Sequence, residues 1–209
     1  IGGGAYAYFS STNKTATPAP TSVAPTPVVK APVVPAPDSV IYQVTTIGKS
    51  TPQCGTSTST VYRQLLTDTD KPVSVLNIES GQSVGDYETY KSNVLLTTTP
   101  NCDAKSGPAF WLSTDSGKTF SKLYQVPSLT GSITSARFSD DGKTIIFGYL
   151  ADATGKNTIK ELDIATKQTK DITTVASAGV YIKGYDRTKG KIYYIEGCYG
   201  CDALTEAGI

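Results

Sequence analysis

The sequence predicts an all-β chain built from repeated four-stranded units. From residue 38 onward, short runs of β-branched and aromatic residues alternate with turn residues. Two of the turns, in Ser113–Phe120 and Ser139–Lys143, carry the Asp-Gly or Asp-x-Gly chemistry of tight hairpins. Between Ser132 and Thr173 four such runs follow one another at even spacing, the signature of a repeat of hairpins.

The N-terminal part lies outside this pattern. Residues 1–9, with small residues and then Tyr6, Tyr8 and Phe9, read as the end of a signal or membrane-anchor segment upstream of Ile1. An ordinary N-terminal tail is the alternative. The chain contains no Met, so Ile1 is expected to follow a processing event or to begin a piece of a longer product. Residues 10–38 are rich in Pro, Thr and Ala, with prolines at 18, 20, 25, 27, 32, 35 and 37. That density blocks helix and sheet pairing and favours polyproline II, whose rise of about 3.1 Å per residue gives a spacer of up to ~90 Å. Asn13-Lys14-Thr15 matches a glycosylation sequon.

Residues 39–209 form the expected domain, incomplete at its C-terminus. The strand-like runs are 40–46, 60–66, 73–78, 93–99, 109–112, 120–126, 132–138, 144–150, 158–164, 169–173, 180–185 and 192–196. They group into a partial unit over about 40–80, full units over about 86–126 and 131–174, and one begun near 179 with two strands. The segments 61–71 and 159–169 echo each other as outer hairpins.

Two hairpins carry a family resemblance. Ser113-Thr114-Asp115-Ser116-Gly117-Lys118-Thr119-Phe120 resembles the Asp-box of sialidase-like β-propellers. That likeness implies that Asp115 binds turn backbone and Phe120 packs inside a blade, with Ser113, Gly117 and Thr119 completing a structural turn away from the ligand face. Ala136–Phe147, with Ser139-Asp140-Asp141-Gly142-Lys143, is similar to the first hairpin of TolB-type and WD-like blades, Asp140 standing where Pro is usual. In that hairpin Asp141-Gly142 makes the turn, Gly142 supplying positive φ. The fold class that follows is all-β, with β-propeller-like four-stranded blades of a partial or truncated propeller after a disordered or extended Pro/Thr-rich arm.

Composition limits the chemistry. The chain has no His, which removes Ser-His and Cys-His dyads and the commonest zinc ligand. Lys and Arg number 19 against 18 Asp and Glu, without blocks of one sign, so no nucleic-acid footprint is present. The four cysteines, Cys54, Cys102, Cys198 and Cys201, are expected to form two disulfides, which suits an extracytoplasmic domain. A four-thiolate zinc site is the alternative; a thioredoxin-like role for Cys198 and Cys201 is disfavoured by Gly200 and the β context. Asp68-Thr69-Asp70 is oxygen-rich, but its spacing fits no complete calcium loop.

The expected function is therefore non-enzymatic, with no catalytic residues, cofactor or metal. The protein is expected to be an extracytoplasmic, membrane-anchored module at the cell surface, in the periplasm or secreted, that binds a protein or glycan or copies of itself. One alternative is a structural subunit of a filament or surface layer. The other, implied by the sialidase resemblance, is a glycoside hydrolase fragment, which would need Arg63, Arg137 and Arg187 to converge on a substrate carboxylate.

Overall fold

The computed structural model describes residues 7–8, 39–50, 55–66, 71–101, 104–129, 131–151, 156–177, 179–197 and 204–208. Its elements are strands throughout: β1 (Ala7–Tyr8), β2 (Ser39–Ser50), β3 (Gly55–Leu65), β4 (Val73–Asn77), β5 (Gln82–Tyr90), β6 (Asn93–Pro100), β7 (Ala109–Ser113), β8 (Ser121–Gln125), β9 (Ser132–Phe138), β10 (Thr144–Leu150), β11 (Asn157–Asp163), β12 (Thr169–Val175), β13 (Val180–Asp186), β14 (Lys191–Glu196) and β15 (Leu204–Gly208). They form four antiparallel meanders in chain order: β1-β2-β3-β4, β5-β6-β7-β8, β9-β10-β11-β12 and β13-β14-β15. Among the described residues no helix is long and apolar enough to cross a membrane.

The sheets stack face to face, and side-chain alternation shows how. In β10, Ile145 and Phe147 enter a core shared with Phe110, Leu95 and Leu112 of the second sheet, while Ile146 enters one shared with Val180, Ile182 and Ile192 of the fourth. β6 behaves likewise: Leu95 faces the third sheet, and Val94 and Leu96 face Ile41, Val61 and Leu76 of the first. Successive residues of a strand point to opposite faces, so a strand buried on both sides must be apolar without interruption. This accounts for the run Ile145-Ile146-Phe147 in the centre of a sheet. Phe110 and Phe147 meet edge-on with ring centroids 4.9 Å apart across the junction of the second and third sheets.

The first strands of the second, third and fourth sheets lock to one another through polar side chains. Thr134 and Ser135 of β9 donate to the Val180 carbonyl of β13 at 2.8 and 3.2 Å, and Ile182 N–H donates to Ser135 Oγ at 2.7 Å. On the other side of β9, Ala136 N–H donates to Asp86 Oδ2 of β5 at 3.2 Å. Meandering sheets stacked this way, with first strands adjacent, are the blades of a partial β-propeller.

Four details depart from the sequence expectation. The second blade begins at Gln82, before the expected 86, because β5 is bulged between Val84 and Tyr87 and its alternation is broken there. The fourth blade carries a third strand, β15, paired with β14, where two strands were expected. The first sheet is four-stranded because Ala7 and Tyr8, within the segment read as the end of an anchor, pair with Tyr42 and Ile41. β2 and β3 also run longer than expected and pair as far as Ser50 and Gly55. The linker over 10–38, the sequon, Asp68-Thr69-Asp70 and all four cysteines lie outside the described residues.

Candidate functional site

The Ser113–Phe120 hairpin joins β7 to β8, the third and fourth strands of its blade. Asp115 Oδ1 accepts from Ser113 Oγ at 2.7 Å, from Thr119 N–H at 3.0 Å and from Lys118 N–H at 3.1 Å. Asp115 Oδ2 accepts from the Thr119 hydroxyl at 2.7 Å. Ser113 Oγ in turn accepts from Gly117 N–H at 2.8 Å. The Ser113 hydroxyl and then the Thr119 and Lys118 donors hold the Asp115 carboxyl far below the usual carboxylate range. Phe120 packs against the core between the first and second blades. Gly117 has φ +78°, and a Cβ there would lie 2.2 Å from Ile41 Cδ1 of the first blade. The turn thus has two tasks, reversing the chain and seating the neighbouring blade.

The β9–β10 turn does the same one blade on. Gly142 has φ +70°, and a Cβ there would lie 2.2 Å from Cε1 of Tyr90 in the second blade. Tyr90 Oη donates to the Asp140 carbonyl at 3.0 Å. Asp141 Oδ1 accepts from Ser139 Oγ at 2.7 Å and Lys143 N–H at 3.0 Å, and these bonds, with Arg187, lower its pKa. Asp140 reaches the fourth blade: its N–H donates to the Tyr185 carbonyl at 3.1 Å, and its carboxylate accepts from Arg187 N–H and the Thr188 hydroxyl, both at 3.2 Å. Proline at 140 has no N–H to give Tyr185, a physical reason for the departure from the blade motif.

A concavity lies elsewhere in the fold. A pocket of about 290 Å³ opens at the junction of the first and second blades, lined by Ile41, Tyr42, Gln43, Val61, Asp86, Tyr87 and their neighbours Val84, Gly85 and Leu96. Tyr42 stacks on its cross-strand partner Tyr62 with ring centroids 5.7 Å apart, which stiffens the β2–β3 pair behind the pocket. The Gln43 amide donates to Thr45 Oγ1 at 3.2 Å, while its Oε1 is buried and has no hydrogen-bond partner among the described residues. The bulge in β5 turns Asp86 toward the junction with β9. There Asp86 Oδ2 accepts from Arg137 Nη1 at 3.0 Å, and Glu88 Oε2 lies 3.5 Å from Arg137 Nε. Asp86 Oδ1 accepts from Tyr87 N–H at 2.8 Å. Burial pushes the Glu88 carboxyl up against the opposing pull of Arg137, and burial also raises the Tyr87 phenol.

The residues that the sequence singles out are therefore not brought together in one site. Ser113, Asp115, Gly117, Thr119 and Phe120 build one turn, and Asp141 and Gly142 another. The three arginines have separate settings: Arg137 between β5 and β9, Arg187 in the β13–β14 turn and paired with Asp141, and Arg63 on β3. The pocket residues Tyr42, Gln43, Asp86 and Tyr87 were missed. The alternation of β2 was visible, but which blade it faces is not a local property.

Chemically, the pocket offers an apolar wall, phenols and an amide oxygen without a donor. Asp86 spends both oxygens on fixed partners. The arrangement suits recognition of a ligand that is part apolar and part hydrogen-bonding.

The fold and these junctions place the chain in the class of β-propeller proteins. No family model matches it, and no curated protein matches it in sequence. Among solved structures, an oligogalacturonate lyase in complex with manganese is similar at a TM-score of 0.47 and 14% identity, over 76% of this chain and 47% of that one. Prolyl oligopeptidase B from Galerina marginata, bound to a 35mer hydrolysis and macrocyclization substrate, is similar at 0.48 and 14%, over 75% of this chain and 23% of that one. The chain spans less than half the length of either protein.

Proposed function

We propose that this chain is a non-enzymatic, extracytoplasmic propeller module that binds a protein or glycan partner at the blade 1–blade 2 pocket. The observation that carries the reading is the buried Gln43 Oε1 on the wall of a pocket with Tyr42 and Tyr87. A buried carbonyl without a donor costs about 1–3 kcal/mol, and a ligand hydroxyl or amide N–H would recover it. Aromatic faces beside an amide suit both sugar rings and extended peptide. The Asp-box reading of Ser113–Phe120 supports the same class, since there the turn is structural and leaves recognition to other surfaces. The two disulfides expected from the even number of cysteines, Cys54, Cys102, Cys198 and Cys201, would agree with an oxidising compartment.

The test is binding of the whole chain to arrays of neutral oligosaccharides and of extended peptides, repeated with Tyr42→Ala and Gln43→Ala. A ligand whose affinity falls tenfold or more in both variants, with unchanged melting temperature, supports the reading. Ligands that bind both variants as well as the parent, or no ligand at all, would overturn it. Intact mass with and without reduction checks the cysteines: one hydrogen gained per cysteine on reduction is expected.

A further inference from the structure

A second pocket, of about 280 Å³, lies beside the Ser113–Phe120 turn and is lined by Arg63, Gln64, Leu65, Lys71, Val73, Val75 and Lys118. Three separate pieces of chain bring its cations together. Arg63 is on β3, directly across from Ile41 on one side and Val73 on the other. Lys71 precedes β4, and Lys118 rides on the Ser113–Phe120 turn of the next blade. Among the described residues no carboxylate lines the pocket and no ion pair engages any of the three. Arg63 Nε is buried and has no hydrogen-bond partner among the described residues.

Like charges with no counter-ion among the described residues repel, and a buried guanidinium N–H left unpaired carries a desolvation cost. Both penalties vanish when an oxyanion occupies the pocket. The side of a guanidinium that includes Nε presents two parallel donors, matching two oxygens of a carboxylate or sulfate. The lysines add point charges from either side. Lys118 is positioned because its backbone N–H is held by Asp115 and the next residue of the turn is held twice more. Val73, an exposed apolar residue paired directly across from Arg63, extends the site beyond the anion with a surface for C–H groups.

We infer that this pocket binds the anionic group of an acidic saccharide, a sulfate ester or a uronate carboxylate, with Arg63 as the bidentate anchor and Lys71 and Lys118 as flanking charges. The near-neutral balance of the chain, 19 basic against 18 acidic residues, makes the attraction local to this pocket. The site is separate from the blade 1–blade 2 pocket in its cations, so either can fail without the other.

Titration calorimetry of the full chain at 50 and 200 mM NaCl tests it. The probes are inorganic sulfate, a sulfated tetrasaccharide, an unsulfated uronate tetrasaccharide and a neutral tetrasaccharide. Binding of one or both acidic tetrasaccharides, weakened several-fold at the higher salt, is expected, with the neutral one silent; which acidic probe binds more tightly tells sulfate from carboxylate. Arg63→Gln should lose tenfold or more and Lys118→Gln three- to tenfold, while Lys183→Gln on the fourth blade leaves affinity unchanged. Lys118 is exposed and its backbone makes the turn contacts, so Lys118→Gln keeps the test sound should Arg63→Gln misfold. No binding of either acidic tetrasaccharide, binding of inorganic sulfate alone, or equal affinity in parent, Lys118→Gln and Lys183→Gln would overturn the inference.

Discussion

Replacing Gly142 with Ala isolates the way a turn glycine holds two blades together. At φ +70° an L-residue costs about 1–2 kcal/mol in backbone energy alone. The added Cβ would also sit 2.2 Å from Cε1 and 2.5 Å from Cδ1 of Tyr90, so the ring must move. Moving it breaks the 3.0 Å bond to the Asp140 carbonyl and the contact with Phe138, whose ring centroid is 5.9 Å away. Those losses are about 0.5–1.5 kcal/mol each, giving a total of about 2–5 kcal/mol. For a chain of this size that corresponds to a fall in Tm of roughly 4–20 °C. Urea unfolding of the parent, Gly142→Ala, Tyr90→Ala and the double variant closes a cycle. Once Tyr90 is truncated the Cβ meets no ring, and Gly142→Ala should then cost only the backbone part, with a coupling of about 1 kcal/mol or more. A single-variant cost under about 0.5 kcal/mol would refute the positive-φ argument. Strict additivity would refute the seating of Tyr90 on the turn.

Three further outcomes follow from the same geometry. Asp115→Asn should destabilise by about 1 kcal/mol at pH 7 by weakening a four-donor carboxylate site. Because the folded pKa is lowered, that stabilisation is present above the unfolded value of 3.8 and is lost as pH falls below it, so parent and variant should converge in acid unfolding curves. Arg137→Met leaves Asp86 and Glu88 without their shared cation and should cost about 2 kcal/mol at pH 7 by chemical denaturation. Glu88 is already raised by burial, and a raised carboxyl favours the fold below the unfolded pKa and loses that contribution as pH rises through the folded one. The deficit of Arg137→Met should therefore shrink toward pH 4. Asp140→Pro, although it restores the usual blade motif, removes the N–H bond to Tyr185 and both carboxylate bonds to Arg187 and Thr188; a melting temperature at or above the parent's would contradict the interblade role.

Some of this protein was determined by local chemistry and is readable residue by residue. Alternating β-branched runs and Asp-Gly turns specify hairpins because pleat and turn geometry act within a few residues. Gly142 needs positive φ whatever surrounds it, and an unbroken Ile145-Ile146-Phe147 must be covered on both faces. The bulged β5 escaped because Gly85 and Asp86 break the alternation that marks a strand. Tertiary structure alone decided the rest: that Ile41 rests on Gly117, that Tyr90 rests on Gly142, and that Arg63 and Lys118 share a pocket. These pairs are far apart in sequence and meet only when blades stack, so their placement depends on blade order and inter-sheet distance, which no local pattern encodes.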